Sequence, residues 1–182
     1  PDEANQAIAE FFLDEYADDW LSCDDEYALQ HTPAHLAEGA QQAARRRTRQ
    51  KLADSLGALL TDFRFLEAKS GRVGVDALVT DVATAVAALP PESQPQSRVR
   101  ALQQALEREA RHLRGWNGRP HRVFLAQQVH NRAVEMGLFD LSGVAAARLA
   151  ELGEPYLALL ARLGPESSDD ATDRNPTTAL RA

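Results

Sequence analysis

The sequence has little of what disulfide-bonded, membrane-spanning or β-sheet proteins need. Its single cysteine, Cys23, excludes an intrachain disulfide and is compatible with a reducing compartment. Aromatic residues make up only 6% of the 182 residues, and β-branched residues hardly alternate with polar ones as in a strand. No apolar run approaches the roughly 20 residues that span a bilayer, and no signal segment opens the chain. We therefore expect a cytoplasmic protein, and since Pro1 is not an initiator, a processed product or an excised piece.

The motifs of several reaction classes are also missing. The phosphate-cradling G-x-x-x-x-G-K-[ST] does not occur, so we do not expect nucleotide hydrolysis by this chain. Cys23 precedes the acidic run 24–26, whose negative charge would raise the pKa of the thiol and disfavour a nucleophile. We therefore predict that the protein is not an enzyme and that it has no catalytic residues and no cofactor.

His31 and His35 form a pair with metal-ligand spacing, one helical turn apart. They could supply half of a zinc site, with Cys23 as a third ligand only if the fold brings it close. No Glu follows His31 as a metalloprotease helix requires, and Pro33 lies between the two histidines. We interpret both imidazoles as packing residues and predict no metal. A metal-dependent enzyme centred on the pair stays open as an alternative.

Helix-forming residues are abundant. Alanine, leucine, arginine and glutamate dominate a composition of 44% hydrophobic and 26% charged residues. Apolar residues recur at three- and four-residue intervals, for example Ile8, Phe11 or Phe12, Tyr16 and Trp20. We predict an all-α fold of stacked antiparallel helical hairpins, α-solenoid-like, with eight or nine helices.

The turn and capping residues divide the chain into helices. The second helix should begin at residue 26 or 27, bend at Pro33 and end at Gly39, and the fourth should be capped by Thr61 or Asp62 and end before a loop flanked by Gly71 and Gly74. The predicted helices cover 3–21, 26–39, a stretch through 52–60, a stretch from 61 or 62, 75–89, 97–115, 123–136, 142–153 and 155–164.

Composition also suggests a domain organisation. The segment "PPESQPQS" at residues 90–97 has low apolar content and is the best internal boundary. It separates an N-terminal helical lobe, 1–92, from a C-terminal lobe, 93–164, that packs on the first. Residues 165–182 are too polar to offset the ordering entropy by burial, which predicts a flexible tail.

The net charge of −7 is unevenly distributed. Residues 2–26 contain many carboxylates and no Lys or Arg, whereas the C-terminal lobe is rich in arginine. Opposite fields of this kind suit either solvated helix faces or docking surfaces. The basic run 41–51 lacks interleaved aromatics, so nucleic-acid contact is not expected. The candidate interaction surface comprises Trp20, Arg45, Arg46, Arg47 and Trp116, although each tryptophan could instead anchor the core.

Four phrases of the sequence carry a resemblance to a known family. They are Tyr27 to Gly39, Leu59 to Lys69, Gly74 to Asp81 and, more loosely, Phe124 to Gly137. In this order they resemble the second helical domain of the apoptotic protease-activating factor family, over roughly residues 20–160. That family belongs to the STAND NTPases, in which a helical arm joins an NB-ARC nucleotide-binding core to a WD-repeat propeller.

The resemblance implies a mechanical function. The chain would be a non-catalytic arm that holds a sensor propeller against a nucleotide-binding core and permits rearrangement when the sensor is engaged. Its partners would be those two domains of its parent protein. Neither a membrane nor a nucleic acid is expected as a partner, the latter because the basic run lacks interleaved aromatic residues. The alternative is a free-standing helical-repeat adaptor that binds a protein or peptide.

Overall fold

The computed structural model describes residues 2–16, 18–116 and 122–157, with side chains from residue 4 onward. Within this part the chain forms eight helices and no strand, which confirms the all-α prediction. No helix there is both long enough and apolar enough to cross a membrane. The helices are α1 Asp2–Tyr16, α2 Glu26–Gln42, α3 Arg46–Leu59, α4 Phe63–Arg72, α5 Val75–Ala88, α6 Gln94–Leu113, α7 Phe124–Glu135 and α8 Phe139–Leu152.

Helices that follow one another in the chain mostly pack against one another. This holds for α1 with α2, α2 with α3, and for the series α5, α6, α7 and α8. The short α4 departs from the pattern because the chain turns a corner at residues 60–62, and α4 then packs on α5 and on α2. Contacts of α2 with α5 and of α3 with α6 join the first hairpins to the later ones.

Side chains at the helix ends explain where several helices begin. The Asp25 carboxylate accepts the backbone N–H groups of Tyr27 and Ala28, and the Asp62 carboxylate accepts that of Arg64. The cap at Asp62 was predicted as one of two alternatives, because Asp at this position satisfies N–H groups that have no intrahelical partner. At the end of α8, Gly153 takes the left-handed conformation with φ 63°, as predicted.

Other predicted boundaries are wrong. The first helix ends at Tyr16 instead of residue 21, because the chain turns there and carries Trp20 into the core. The fourth helix includes Gly71 and ends at Arg72, and the sixth begins at Gln94, three residues earlier than predicted. The eighth begins at Phe139, three residues before the predicted start at 142.

Gly39 does not end α2, which continues to Gln42. A Cβ atom at Gly39 would lie 3.1 Å from Leu52 Cδ1 of α3, so the missing side chain allows α2 and α3 to approach. Gly57 has the same role between α3 and the start of α6, where a Cβ would lie 2.6 Å from Pro95 Cβ. Both glycines serve helix packing.

The core follows the predicted stripes. Leu52, Leu56, Leu59 and Leu60 are buried, and Phe12 rather than Phe11 faces inward on α1. The other apolar positions at helical spacing that are buried are Leu29, Leu36, Phe63, Phe65, Leu66, Leu78, Val82, Leu89, Val99, Leu102, Leu106, Leu113, Leu125, Val129, Ala133, Ala145 and Leu149.

The hydrophobic cluster is continuous across the predicted boundary between lobes. The side-chain amide of Gln96, at the start of α6, donates to the carbonyls of Val86 and Leu89 at the end of α5. The division into an N-terminal lobe, 1–92, and a C-terminal lobe, 93–164, stays a prediction. Buried residues of both segments belong to one hydrophobic core. Residues 153–157 are not helical, and the rest of the predicted last helix and the 165–182 tail lie outside the described residues.

Candidate functional site: buried clamps and a surface groove

Lys69 of α4 is completely buried and holds three helices together. Its Nζ donates to the carbonyl oxygens of Leu29 at 2.8 Å and Gln30 at 3.0 Å in α2, and it forms an ion pair with Asp81 of α5. Pro33 has no N–H, so the carbonyl of Leu29 has no donor within its own helix. The lysine supplies that donor, and we call this contact the α2–α4–α5 clamp.

Burial dominates the electrostatics of this clamp. It lowers the pKa of Lys69 and raises the pKa of Asp81, while the opposite charge of each partner acts against the shift. A charged pair in this position costs desolvation, which the direct contact and the two carbonyl hydrogen bonds offset. The sequence predicted a disturbance of α2 at Pro33, but nothing in it pointed to Lys69 as the donor.

A second clamp joins α8 to α4. Arg148 donates from Nη2 to Glu67 Oε2 at 2.6 Å and from Nε to Glu67 Oε1 at 3.1 Å, and both side chains are buried. This two-point contact fixes orientation as well as distance. Burial raises the pKa of Glu67, and the guanidinium of Arg148 acts against that shift. Glu151, half exposed, also accepts from Arg148 at 3.0 Å.

A third clamp joins α6 to α7. Glu109 is 3% exposed and accepts from Arg132 Nε at 2.7 Å and makes a 2.9 Å hydrogen bond with His112 Nδ1. Burial alone would raise the pKa of Glu109, but the hydrogen bonds from His112 and Arg132 outweigh it and lower the pKa. Together, the three clamps connect α2, α4, α5 and α8 on one side and α6 and α7 on the other.

The five predicted surface residues lie in three different environments. Trp20 is 1% exposed and packs edge-to-face on Phe65 with ring centroids 5.0 Å apart, so it is a core residue and not part of a surface. Trp116 is half-buried beside Phe124 in the segment after α6. The other three residues are exposed at the start of α3, and they are Arg45, Arg46 and Arg47.

The two candidate metal ligands take part in other contacts. His35 Nε2 lies 3.1 Å from the Tyr27 hydroxyl and Nδ1 lies 2.9 Å from Asn5 Oδ1, so both ring nitrogens have partners. The rings of His31 and His35 are 6.4 Å apart. Among the described residues, no three His, Cys, Asp or Glu side chains are grouped to hold a metal ion. Cys23 is buried, and burial is the main reason why its pKa is raised, ahead of the acidic neighbours.

A surface groove of about 650 Å³ lies beside the start of α8. Its apolar lining includes Phe139, which is 76% exposed, Val144, which is 46% exposed, and Leu141 as a nearly buried floor. Arg98 of α6 and Asp140 of α8 contribute charges to it. Exposed apolar side chains of this size around one concavity are typical of interaction sites.

The groove results from a mismatch in helix length. α6 has 20 residues and α7 has 12, so α6 is longer by about 12 Å at 1.5 Å per residue. The turn between α7 and α8, with Gly137 at φ 71°, therefore does not extend past the N-terminus of α6. It lies beside the first turns of that helix. The sequence did not predict this site. Phe139 lies two residues after Gly137 and off the buried stripe of α8, which was the available signal.

Comparison with family models, with curated proteins and with solved structures finds no match to this chain. The fold and its surfaces define an all-α protein of packed helical hairpins with a groove on its surface.

Proposed function

We propose that the chain is the non-catalytic helical arm of a STAND-type signalling NTPase, as its resemblance implies. The arm would join an NB-ARC nucleotide-binding core to a WD-repeat propeller and hold the two together in the resting state. The phrases Tyr27–Gly39 and Leu59–Asp81 motivate the assignment. The observation that carries it is the set of three buried clamps, one of which joins the distant helices α4 and α8.

An arm of this kind has to behave as a rigid body. A ligand shifts an equilibrium between two arrangements only through contacts that differ between them, so a spacer that deforms would lose that difference. Hydrophobic burial is non-directional and tolerates sliding, whereas the Lys69 and Arg148 contacts require one fixed alignment of their helices. The clamp between Glu67 and Arg148 joins residues 81 positions apart, one from each predicted lobe.

The flanking sequence of the gene tests this proposal. We expect a P-loop module before the helical unit and an array of β-strand repeats after it. The lack of both would remove the arm proposal.

Hydrogen exchange tests the rigidity that the proposal requires. Amides in α4, α5 and α8 should exchange through one common opening event, because the clamps couple these helices. Separate exchange of α8 at a much lower free energy of opening would contradict the rigid arm even if the gene has the expected neighbours.

The groove favours a second function, a free-standing adaptor that binds a protein segment. The adaptor and the arm would have the same fold. They differ in whether the gene encodes further domains on either side of the helical unit. An open reading frame that encodes little beyond this helical unit would favour the adaptor.

A further inference from the structure

We propose that the chain associates with further copies of itself, head to tail, with Phe11 of one copy seated in the groove of the next. This proposal uses only surfaces of the described residues and does not depend on the arm assignment. It pairs an exposed aromatic side chain beside carboxylates with an apolar groove beside arginines.

Phe11 is suited to be the inserted group. Its side chain is 63% exposed on α1, and its ring lies edge-on to that of Phe12, whose 7% exposure fixes it in the core. Asp14 and Glu15 are exposed one turn further along the helix. Neither carboxylate has a cationic partner among the residues that the structure describes. Phe11 is thus an apolar knob beside two uncompensated negative charges.

The groove is complementary to this knob in shape and largely in charge. Phe139, Val144 and the floor at Leu141 offer apolar contacts to a phenyl ring, and about 650 Å³ is within the usual range of binding clefts. Arg98 lines the groove, and Arg100 is exposed two residues further along α6.

The charges around the groove are not all favourable. In the described part of the chain neither Arg98 nor Arg100 pairs with a carboxylate, so both are available to the acidic side chains beside Phe11. Asp140 also lines the groove, and its charge opposes an acidic partner. The neutral variant Asp140→Asn should therefore bind the knob more tightly than the wild type.

The occupant is a second copy because the same chain carries both complementary surfaces on different elements. α1 packs on α2, whereas the groove is lined by residues of the α3–α4 corner, α6, the α7–α8 turn and α8. A contact between two different surfaces leaves one knob and one groove free at the ends, so association continues beyond a dimer. Screening of the charge pairs should weaken it as salt rises.

Sedimentation velocity tests the proposal on the 182-residue chain. The average sedimentation coefficient should rise with concentration over roughly a hundredfold range at low salt. Phe11→Ala and Val144→Glu should each be monomeric, and their equimolar mixture should form a heterodimer and nothing larger. Leu157→Ala, at an exposed apolar residue outside α1 and the groove lining, should associate like the wild type. Asp140→Asn should raise the association constant roughly 1.5- to 5-fold.

Three results would overturn the proposal. The first is a wild-type chain that stays monomeric throughout, which would leave the groove to a segment of another protein. The second is association that persists in Phe11→Ala. The third is a mixture of the two monomeric variants that fails to form a heterodimer, since a symmetric interface cannot be restored in this way. Far-ultraviolet circular dichroism should show that both variants fold, because both side chains are exposed.

Discussion

Replacing Lys69 by methionine tests whether the α2–α4–α5 clamp stabilises the fold. The variant keeps most of the apolar stem but strands the carboxylate of Asp81 and removes the donor from the carbonyls of Leu29 and Gln30. Removal of one partner of a buried ion pair typically costs about 3–5 kcal/mol. For a chain of this length that corresponds to a fall in Tm of roughly 6–20 °C.

A cycle with Pro33→Ala separates the hydrogen bonds from the charge. Alanine at position 33 restores the N–H that the carbonyl of Leu29 lacks within its own helix. The cost of Lys69→Met should therefore be smaller in the Pro33→Ala background by about 1 kcal/mol, the net value of one hydrogen bond. Any cavity or propensity effect of the alanine is the same on both sides of the cycle and cancels.

Equilibrium unfolding in urea, followed by circular dichroism, measures all four proteins. The cost of Lys69→Met should also shrink as the pH falls, because burial already raises the pKa of Asp81 and a neutral carboxyl is less costly to bury unpaired. A destabilisation below 1 kcal/mol, or an equal cost in both backgrounds, would refute the role assigned to the lysine. If Lys69→Met does not fold, its combination with Asp81→Leu removes the stranded charge and keeps the cycle measurable.

Three further changes probe other contacts of the core. Arg148→Met strands the buried Glu67 and should lower the free energy of unfolding by about 3–5 kcal/mol. Gly57→Ala places a Cβ 2.6 Å from Pro95 Cβ and should cost about 1–3 kcal/mol despite the better helix propensity of alanine. The lowered pKa of Glu109 contributes stability above its ordinary value of 4.5 that is lost as the pH falls below it. The stability difference between wild type and Glu109→Gln should therefore stay constant from pH 7 to about pH 5 and narrow as the pH falls below 4.5.

Each of these changes has a matched control. Arg148→Met combined with Glu67→Leu should recover most of the loss, and a double variant as unstable as the single one would argue against the stranded charge. Gly143→Ala adds a methyl group where nothing lies within 4 Å, so it should stabilise α8 by about 0.5–1 kcal/mol. Glu107→Gln, at an exposed residue of α6, should change the free energy of unfolding by less than about 0.5 kcal/mol.

Local signals were sufficient to predict most of the fold. The Asp25 and Asp62 caps follow from nearby backbone groups, and the leucine stripe of α3 follows from helical periodicity. Local signals failed where a residue acts through a distant partner. Glycine is a residue type that often ends a helix, which is why Gly39 was predicted to end α2. Its lack of a side chain instead allows the close approach of Leu52 from α3. No spacing within α2 contains that information.

The groove was missed for the same physical reason. It depends on the difference in length between α6 and α7, and on where the turn between α7 and α8 lies against α6. Neither helix alone reveals the mismatch. Trp20 was predicted on the apolar stripe of the first helix. That helix ends at Tyr16, and the turn after it places Trp20 in contact with Phe65.

The sequence does contain one signal for the clamps, and it lies in α2. A proline inside a buried helix leaves a carbonyl without a donor, and a buried carbonyl requires one, so Pro33 implies a donor from elsewhere in the fold. The donor comes from α4, the shortest of the described helices, which carries both Lys69 and Glu67 as buried charges. One of them is bound to α2 and α5 and the other to Arg148 of α8. Because α4 cannot shift without breaking both clamps, these four helices should move only as a unit, which is the property that the proposed arm needs.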